Sequence, residues 1–146
     1  MDKIINPEIL EKLTAFFDAK PEIILVMLYG SCSRATETEK SDVDIAVAMY
    51  EVLSLDDRTS LQLELSLFLK REIDLVDIRK ISGVLHYTVF AEGVCIKKKQ
   101  PEGSVLLHQN TMTALYWYED YYPIYKRSRK SILERAFKRK RVGDSQ

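Results

Sequence analysis

Four apolar runs separated by amphipathic stretches dominate this chain. Residues 23–29 (IILVMLY) and 43–49 (VDIAVAM) are almost continuously apolar, which is typical of strands buried on both faces. Residues 72–78 (EIDLVDI) predict a third strand, and residues 94–96 (VCI) predict a short fourth strand. We therefore expect a small sheet at the centre of the domain.

Apolar residues spaced three or four positions apart predict helices around these strands. Asn6 and Pro7 form a typical helix start, and this first helix should end just before Pro21. Residues 58–70 and 81–91 predict two further helices. The residues expected to face the core are Ile9, Leu10, Leu13, Phe16 and Phe17 in the first helix, Leu61, Leu65, Phe68 and Leu69 in the second, and Val84, Leu85, Thr88 and Val89 in the third.

The last third of the chain has a different pattern. Residues 101–103 (PEG) predict a linker, and residues 105–118 predict a helix. An aromatic group follows and is interrupted by Pro123, and residues 128–141 predict a final basic helix. Two helices separated near the proline are therefore expected here.

The order of the elements predicts an α/β or α+β domain with a small mixed sheet flanked by helices. At 146 residues, with 46% hydrophobic residues, the chain can form one domain and a terminal extension. We assign residues 1–100 to that domain. Residues 101–146 form a helical C-terminal extension, aromatic and then basic, which we expect to dock a partner.

The sequence also bears on the cellular location of the protein. No apolar run approaches the roughly 18–20 residues that a membrane-spanning helix needs. The N-terminal stretch MDKIINPEIL lacks the pattern of a signal peptide. The two cysteines, Cys32 and Cys95, belong neither to a disulfide-rich pattern nor to a paired metal-ligand spacing. We expect a cytoplasmic protein that does not insert into membranes.

The formal net charge of zero conceals an uneven distribution. Nine of the 22 lysine and arginine residues, but only two of the 22 aspartate and glutamate residues, lie in residues 126–146. A basic tail of this kind suits an acidic protein surface, nucleic acid or simple solvation. Partner docking is the leading functional interpretation, and direct nucleic-acid binding is a weaker alternative.

The candidate catalytic and binding residues lie at the end of the first predicted strand and at the start of the second. Gly30 and Ser31 follow the first strand, where a glycine lets a ligand approach the backbone and a serine adds a hydroxyl group. Asp42 and Asp44 open the second strand and share one face of it, because strand side chains alternate. Two adjacent carboxylates repel each other unless a cation lies between them, and carboxylate oxygens suit Mg²⁺.

The third strand adds further carboxylates. Asp74 is expected within this strand, between two apolar residues, where an unpaired carboxylate would be costly. It could bind the same metal or accept a proton from an attacking hydroxyl. Glu72 shares its face and is the competing candidate, whereas Asp77 points to the opposite face. Three carboxylates beside a phosphate-holding turn predict a two-metal phosphoryl or nucleotidyl transfer site.

Each feature also has an ordinary interpretation. A Gly-Ser pair after a strand is usually a simple turn, and paired aspartates can mark an exposed strand end. His86 and His108 have no partner at ligand spacing, so we assign neither a catalytic role. The tyrosines and Trp117 are expected to fill a core or an interface, because basic residues are not interleaved among them.

The segment LYGSCSRATETEKSDVDIAV, residues 28–47, resembles the signature of the DNA polymerase β-like nucleotidyltransferase superfamily. That signature is a hydrophobic residue, glycine and then glycine or serine, followed by two aspartates that alternate with hydrophobic residues. More narrowly, the chain is similar to the minimal nucleotidyltransferases, the MntA antitoxins, which its IDLVDI and GVCIKKK segments also fit. The resemblance covers about residues 8–98 and implies the polymerase β-like nucleotidyltransferase fold.

The resemblance also implies roles for individual residues. Gly30 and Ser31 would hold the triphosphate of ATP, and Arg34 matches the arginine of the family's GSxARG variant. Asp42 and Asp44 would bind Mg²⁺, expected as two ions, and Asp74 would complete the acidic triad as ligand or base. These three aspartates are the predicted catalytic residues.

MntA-like proteins are paired with HepT, a HEPN-domain RNase toxin. The resemblance therefore implies an antitoxin that transfers AMP from ATP to a tyrosine of a HepT-like HEPN toxin and so inactivates it. Two alternatives remain. The chain could block its toxin by binding alone, or it could be a small-molecule nucleotidyltransferase of the antibiotic-modifying kind. The short C-terminal segment leaves little room for the acceptor pocket that the last alternative needs.

Overall fold

The computed structural model describes residues 6–30 and 42–144 of the chain. In chain order, the described elements are helix α1 (Pro7–Asp18), strands β1 (Ile23–Tyr29) and β2 (Val43–Met49), helix α2 (Leu55–Leu69), strand β3 (Ile73–Asp77), helix α3 (Gly83–Tyr87), strand β4 (Val94–Lys98) and helix α4 (Glu102–Asp144). A 3₁₀ turn (Ile78–Lys80) follows β3, and a π-helical turn (Thr88–Glu92) follows α3.

The four described strands form one mixed sheet in the order β3-β2-β1-β4. Strand β1 is antiparallel to both of its neighbours, β2 and β4, and β2 is parallel to β3. The two central strands are the most apolar runs of the sequence, and all seven residues of β1 are buried. Helices cover both of their faces, so the predicted small mixed sheet flanked by helices is confirmed.

The two faces of the sheet pack against different helices. On one face, Val26 and Leu28 of β1 belong to a core cluster with α1 and α2. On the other face, Met27 and Tyr29 belong to a second cluster that includes Val89 of the π-helical turn and Ala114 of α4. Successive strand residues point in opposite directions, so β1 contributes to both clusters.

Helices α1 and α2 begin at side-chain caps. The Asn6 side chain accepts a hydrogen bond from the backbone N–H of Glu8, as its position before Pro7 predicts. Helix α2 begins three residues before the predicted start, because the Ser54 hydroxyl accepts from the N–H of Asp57 at 3.0 Å. The cap satisfies an N–H that would otherwise lack an intrahelical partner.

Most of the expected inward-facing residues of these helices are buried. The exceptions are Leu10, which is 38% exposed, and Phe68, which is 46% exposed. The buried stripe of α2 is centred on Leu65, and Phe68 lies at its margin, where its ring contacts that of Phe16. The expectation that Phe68 faces the core was therefore wrong.

The predicted helix over residues 81–91 is divided into α3 and the π-helical turn. Val84 and Leu85, expected inside, are 40% and 39% exposed, whereas Val89 is buried as expected. A π-helical turn contains an extra residue, which shifts the phase of the buried face. His86 is the buried member of α3, and its Nε2 lies 2.9 Å from Oδ1 of Asn110 on α4.

Helix α4 is one element rather than the two helices expected on either side of Pro123. A proline removes one backbone hydrogen bond and strains one turn, but the remaining turns on both sides can still propagate. The predicted linker at residues 101–103 lies at the start of this helix. Ala114 is buried against the sheet, whereas Tyr121 and Ile124 are 58% and 59% exposed.

Helix α4 is also the longest described helix, yet its composition is mixed along its length. Within residues 6–30 and 42–144, no helix combines the length and apolar character needed to cross a membrane.

Candidate active site

A row of three residues crosses the sheet at one end. In the β1–β2 pairing, Tyr29 lies opposite Asp44, and in the β2–β3 pairing Asp44 lies beside Asp74. Residues paired in this way point to the same face, with neighbouring Cβ atoms roughly 4.5–5.5 Å apart. The sheet therefore places the two carboxylates and the phenol side by side, and Gly30 follows directly at the end of β1.

Asp42 and Asp44 lie on either side of Val43, which is buried. Asp42 is exposed just ahead of β2, and Asp44 is half-buried within it. Burial, together with the charges of Asp74 and then Asp42, raises the pKa of Asp44 above its ordinary value. All three carboxylates predicted from the sequence are thus close enough to interact electrostatically at Asp44.

Asp74 is exposed, so the expectation of a buried carboxylate in mid-strand was wrong. Strand β3 begins at Ile73 and lies at the edge of the sheet, so solvent reaches its first residues. Glu72, the competing candidate, precedes the strand; its backbone carbonyl accepts a hydrogen bond from the N–H of Val43 at 2.9 Å. Its side chain is exposed as well.

Asp77 is the buried carboxylate of β3, with 3% of its surface exposed. It points away from Asp74, as the strand alternation predicts. Its two carboxylate oxygens accept hydrogen bonds from the backbone N–H groups of Leu53 and Arg79, each at 2.9 Å. This side chain joins the loop before α2 to the 3₁₀ turn after β3, so its role is structural.

Gly30 packs against Asp44, the central member of the row formed by Tyr29, Asp44 and Asp74. Its φ angle is +73°, in a region that favours glycine. A Cβ atom built on Gly30 would lie less than 3.0 Å from Asp44 Oδ2 and 3.2 Å from Asp44 Cγ, whereas ordinary contacts lie at 3.4–4 Å. The glycine therefore leaves the space that the Asp44 carboxylate occupies.

Two predicted nucleotide-binding residues, Ser31 and Arg34, lie outside the described residues, as does Cys32. The structure brings together the remaining four predicted site residues: Gly30, Asp42, Asp44 and Asp74.

Tyr29 is the member of the row that the sequence reasoning missed. It is 6% exposed and belongs to the second core cluster. Burial, Asp74 and Asp44, in that order of effect, raise the pKa of its phenol far above the ordinary value for tyrosine. In the sequence it is one apolar-type residue in a buried strand. Only the antiparallel pairing of β1 with β2 places it opposite Asp44.

Carboxylate oxygens are the ligands that Mg²⁺ prefers, and Asp42, Asp44 and Asp74 could supply them. Burial, and then the charges of Asp74 and Asp42, raise the pKa of Asp44, and a cation at this site would relieve the repulsion among the three carboxylates. Across residues 6–30 and 42–144, however, no three His, Cys, Asp or Glu side chains are already arranged as a metal-binding group. The residue types and their charges fit a divalent ion, and the ligand set stays a prediction.

A cavity of about 330 Å³ lies elsewhere, at the start of α4 and the end of β2, where it is lined by residues that include Ile24, Tyr50 and Arg79. Because none of the three site carboxylates, Asp42, Asp44 and Asp74, lines this cavity, we do not assign it to the candidate active site.

Comparison with known proteins gives a consistent result. Residues 11–102 match the model of a family described as polymerase beta, nucleotidyltransferase. Over 76 residues the chain is 38% identical to the protein adenylyltransferase MntA of Shewanella oneidensis. This match covers 52% of this chain and 55% of that protein. The chain thus spans about half the length of this curated relative.

Solved structures match over more of the chain. A crystal structure of a toxin–antitoxin with AMP-PNP is 26% identical, with a TM-score of 0.64, and the match covers 88% of this chain and 98% of that one. A toxin–antitoxin MntA-HpeT structure with two aspartates, two positions apart, changed to glutamate is 25% identical, with a TM-score of 0.64 and coverage of 88% and 98%. The predicted polymerase β-like fold is confirmed.

Proposed function

Because this chain belongs to the polymerase beta nucleotidyltransferase family, we propose that it is an enzyme that transfers AMP from ATP to a tyrosine of a protein partner. The proposed partner is a HepT-like HEPN RNase toxin, which the transfer inactivates, so that the chain acts as an antitoxin in the cytoplasm. One observation carries the proposal: Asp44 and Asp74 lie side by side in the sheet, with Asp42 and Gly30 next to Asp44.

The proposed chemistry is a displacement at the α-phosphorus of ATP. The acceptor tyrosine oxygen forms a bond to that phosphorus, the bond to pyrophosphate breaks, and the phenol proton leaves to a base. Asp74, which is exposed and adjacent to Asp44, is the proposed base for this proton; its alternative role is that of a third metal ligand. Ser31 and Arg34 are the further proposed contacts of the nucleotide.

Asp42, Asp44 and Asp74 are the proposed ligands of Mg²⁺, expected as two ions. When bound, Mg²⁺ would neutralise charge on the phosphates and on the departing pyrophosphate. Their oxygen atoms are the hard ligands that this ion selects. The relative with two aspartates changed to glutamate carries its substitutions at the same spacing as Asp42 and Asp44, which supports their importance.

The shape of α4 supports a protein acceptor. Helix α4 continues for 30 residues after Ala114, about 45 Å of helix. Beyond Ala114, the described side chains are exposed or half-buried, including the exposed Leu115, Tyr116, Tyr118, Tyr121 and Ile124. An apolar surface of this kind, followed by the basic residues of 126–146, suits contact with an acidic protein surface. We therefore propose residues 101–146 as the partner-docking segment.

The same surface favours a second candidate function, in which the chain blocks its toxin by binding alone. Changing Tyr121 and Ile124 to alanine tests it, because these side chains are more than half exposed and lie outside the core. If binding alone blocks the toxin, neutralisation should fail even with ATP present. If AMP transfer blocks it, slow modification should persist and neutralisation should eventually be complete.

The decisive experiment measures AMP transfer to a HepT-like HEPN toxin, the proposed partner. The double variant Asp42→Asn/Asp44→Asn should abolish the mass gain of AMP on the toxin, measured by mass spectrometry after incubation with ATP and Mg²⁺. The matched control is Asp56→Asn/Asp57→Asn, which removes the same two charges from the exposed start of α2. Modification that persists in the first variant, or is lost equally in the control, would contradict the proposed mechanism.

A further inference from the structure

Apolar side chains occupy two opposite faces of helix α2. Leu61, Leu65 and Leu69 are buried in the core cluster on one face of the sheet. Leu63 and Leu67 lie on the other side of the helix, four residues apart, and are 60% and 71% exposed. A surface helix ordinarily carries polar residues opposite its buried stripe. The two outer leucines lie outside the core, so they need a separate explanation.

The outer leucines belong to one exposed stripe with a charge at each end. Its members are spaced three or four positions apart and therefore follow one side of the helix: Asp56, Ser60, Leu63, Leu67 and Lys70. Asp56 lies in the first turn of α2, and Lys70 is the C-cap residue. Along the helix, the stripe is thus acidic, then small and polar, then apolar, then basic.

This stripe is complementary to itself when two copies of it run in opposite directions. With a twofold axis at Leu63, that residue meets its own equivalent in the second copy. Leu67 then lies beside the small side chain of Ser60. Asp56 lies opposite Lys70 of the second copy, because each is seven residues from Leu63. A parallel pairing would instead bring like charges together, which is unfavourable.

We propose that the chain forms a homodimer through this stripe, with α2 of one copy packed antiparallel against α2 of a second copy. Such a contact uses the same surface on both copies, which is the usual form of a twofold dimer. The helix has 15 residues and is about 22 Å long, so one helix pair makes a smaller interface than the standard of about 1,200–2,000 Å². We therefore expect a weak dimer with a micromolar dissociation constant.

The dimer contact and the candidate active site lie on opposite sides of the sheet. Leu65 of α2 belongs to the core cluster on one face. Tyr29 belongs to the cluster on the other face, and Asp44 and Asp74 are paired in the same row. A dimer through α2 therefore carries two candidate active sites that face away from the contact. This inference goes beyond the proposed function and holds whatever the acceptor is.

The first test measures the mass of the full chain alone by sedimentation equilibrium, from about 1 to about 200 µM. The wild type should approach twice the mass of one chain at the highest concentrations. Leu63→Lys places two positive charges against each other at the twofold axis and should weaken the dimer at least about tenfold. Leu63 is already exposed, so circular dichroism should show an unchanged fold.

The matched control for this substitution is Leu115→Lys, because Leu115 is a 48% exposed leucine of α4 on the other side of the sheet. It should leave the dissociation constant of the dimer unchanged. A wild type that is monomeric at every concentration would overturn the proposal. Dissociation by Leu115→Lys and not by Leu63→Lys would overturn it as well, since the contact would then lie on α4.

Charge reversal tests the antiparallel arrangement. Asp56→Lys alone, or Lys70→Asp alone, brings like charges together at both ends of the contact and should weaken the dimer about tenfold. Aspartate suits position 70, because φ there is +57°, a left-handed conformation that aspartate tolerates. An equimolar mixture of the two variants should form a heterodimer with wild-type affinity, since each lysine then faces an aspartate. A mixture that associates no better than either variant alone would overturn the antiparallel pairing.

Discussion

Replacing Gly30 with alanine is a sharp test of the candidate site, because the structure separates two effects of one added methyl group. The first is the backbone conformation: φ at Gly30 is +73°, where an L-residue costs about 1–2 kcal/mol. The second is a steric clash, because the new Cβ would overlap Asp44 Oδ2. The two effects should appear in different measurements.

The magnitude of the second effect follows from the contact distances. The Asp44 oxygen must move by on the order of 1 Å to regain ordinary contact with a Cβ, and a displacement of that size at a reacting centre can cost about 100-fold in rate. Moving the end of a side chain costs little stability. We therefore expect Gly30→Ala to lower the thermal midpoint only by about 2–8 °C, from the backbone cost, while AMP transfer falls about 100-fold.

Gly83 provides the matched control. Its φ is +63°, close to that of Gly30, but a Cβ built there meets nothing within 4 Å. Gly83→Ala should lower the thermal midpoint by a similar amount and leave AMP transfer unchanged. The assays are differential scanning calorimetry and single-turnover transfer of AMP. If Gly30→Ala retained transfer within about threefold of wild type, or if both alanine variants lost it equally, the assignment of Gly30 and Asp44 would be refuted.

Three further predictions concern charge and stability. Because the pKa of folded Asp44 is raised, its contribution to stability is present below the unfolded value near 3.8 and is lost as pH rises through the folded value. Asp44→Asn should therefore raise the thermal midpoint of the metal-free protein at pH 7, and the gain should shrink as pH falls toward 4; a lower midpoint at pH 7 would contradict this. Asp77→Ala leaves two backbone N–H groups without their acceptor and should lower the free energy of unfolding, measured by chemical denaturation, by about 2–4 kcal/mol. Asp74→Ala should lower it by under about 1 kcal/mol and abolish AMP transfer. The reverse pattern would mean that Asp77 is the catalytic carboxylate and Asp74 the structural one. Lys97→Met removes two hydrogen bonds of 2.8 Å to carbonyls at the end of α1 and should cost about 1–3 kcal/mol in the same assay, with Lys98→Met as the exposed control; equal effects would exclude this role for Lys97.

The strands were predictable because their signals are local. An uninterrupted apolar run between Pro21 and Gly30 can hardly be anything but a buried strand, and the same holds for residues 45–49. Alternation predicted that Asp42 and Asp44 share one face, and in the structure the charge of Asp42 contributes to the raised pKa of Asp44. Helix starts with a capping side chain, such as Asn6, were equally accessible from sequence.

Burial on β3 was not predictable, because it depends on where the strand lies in the sheet. Asp74 and Asp77 have similar apolar neighbours in sequence, yet the first is exposed at the start of an edge strand and the second is buried under a loop. The partnership of Tyr29 with the carboxylates required the register between strands. The π-helical turn after α3 adds a residue that leaves no mark in composition, so Val84 and Leu85 were placed on the wrong side.

The continuity of α4 has a mechanical consequence. One uninterrupted helix joins the buried Ala114 to the segment beyond Pro123. The packing of Ala114 against the sheet therefore fixes the direction in which the side chains of the outer segment point. Each helical residue rotates the chain by about 100° around the helix axis, so one alanine inserted after Leu115 would rotate everything beyond it by roughly a quarter turn and move it forward by only about 1.5 Å. Seven inserted residues would nearly restore the angle and lengthen the helix by about 10 Å. Inserted residues can therefore change the direction in which the outer half of α4 faces, or its distance from the sheet, almost independently of each other.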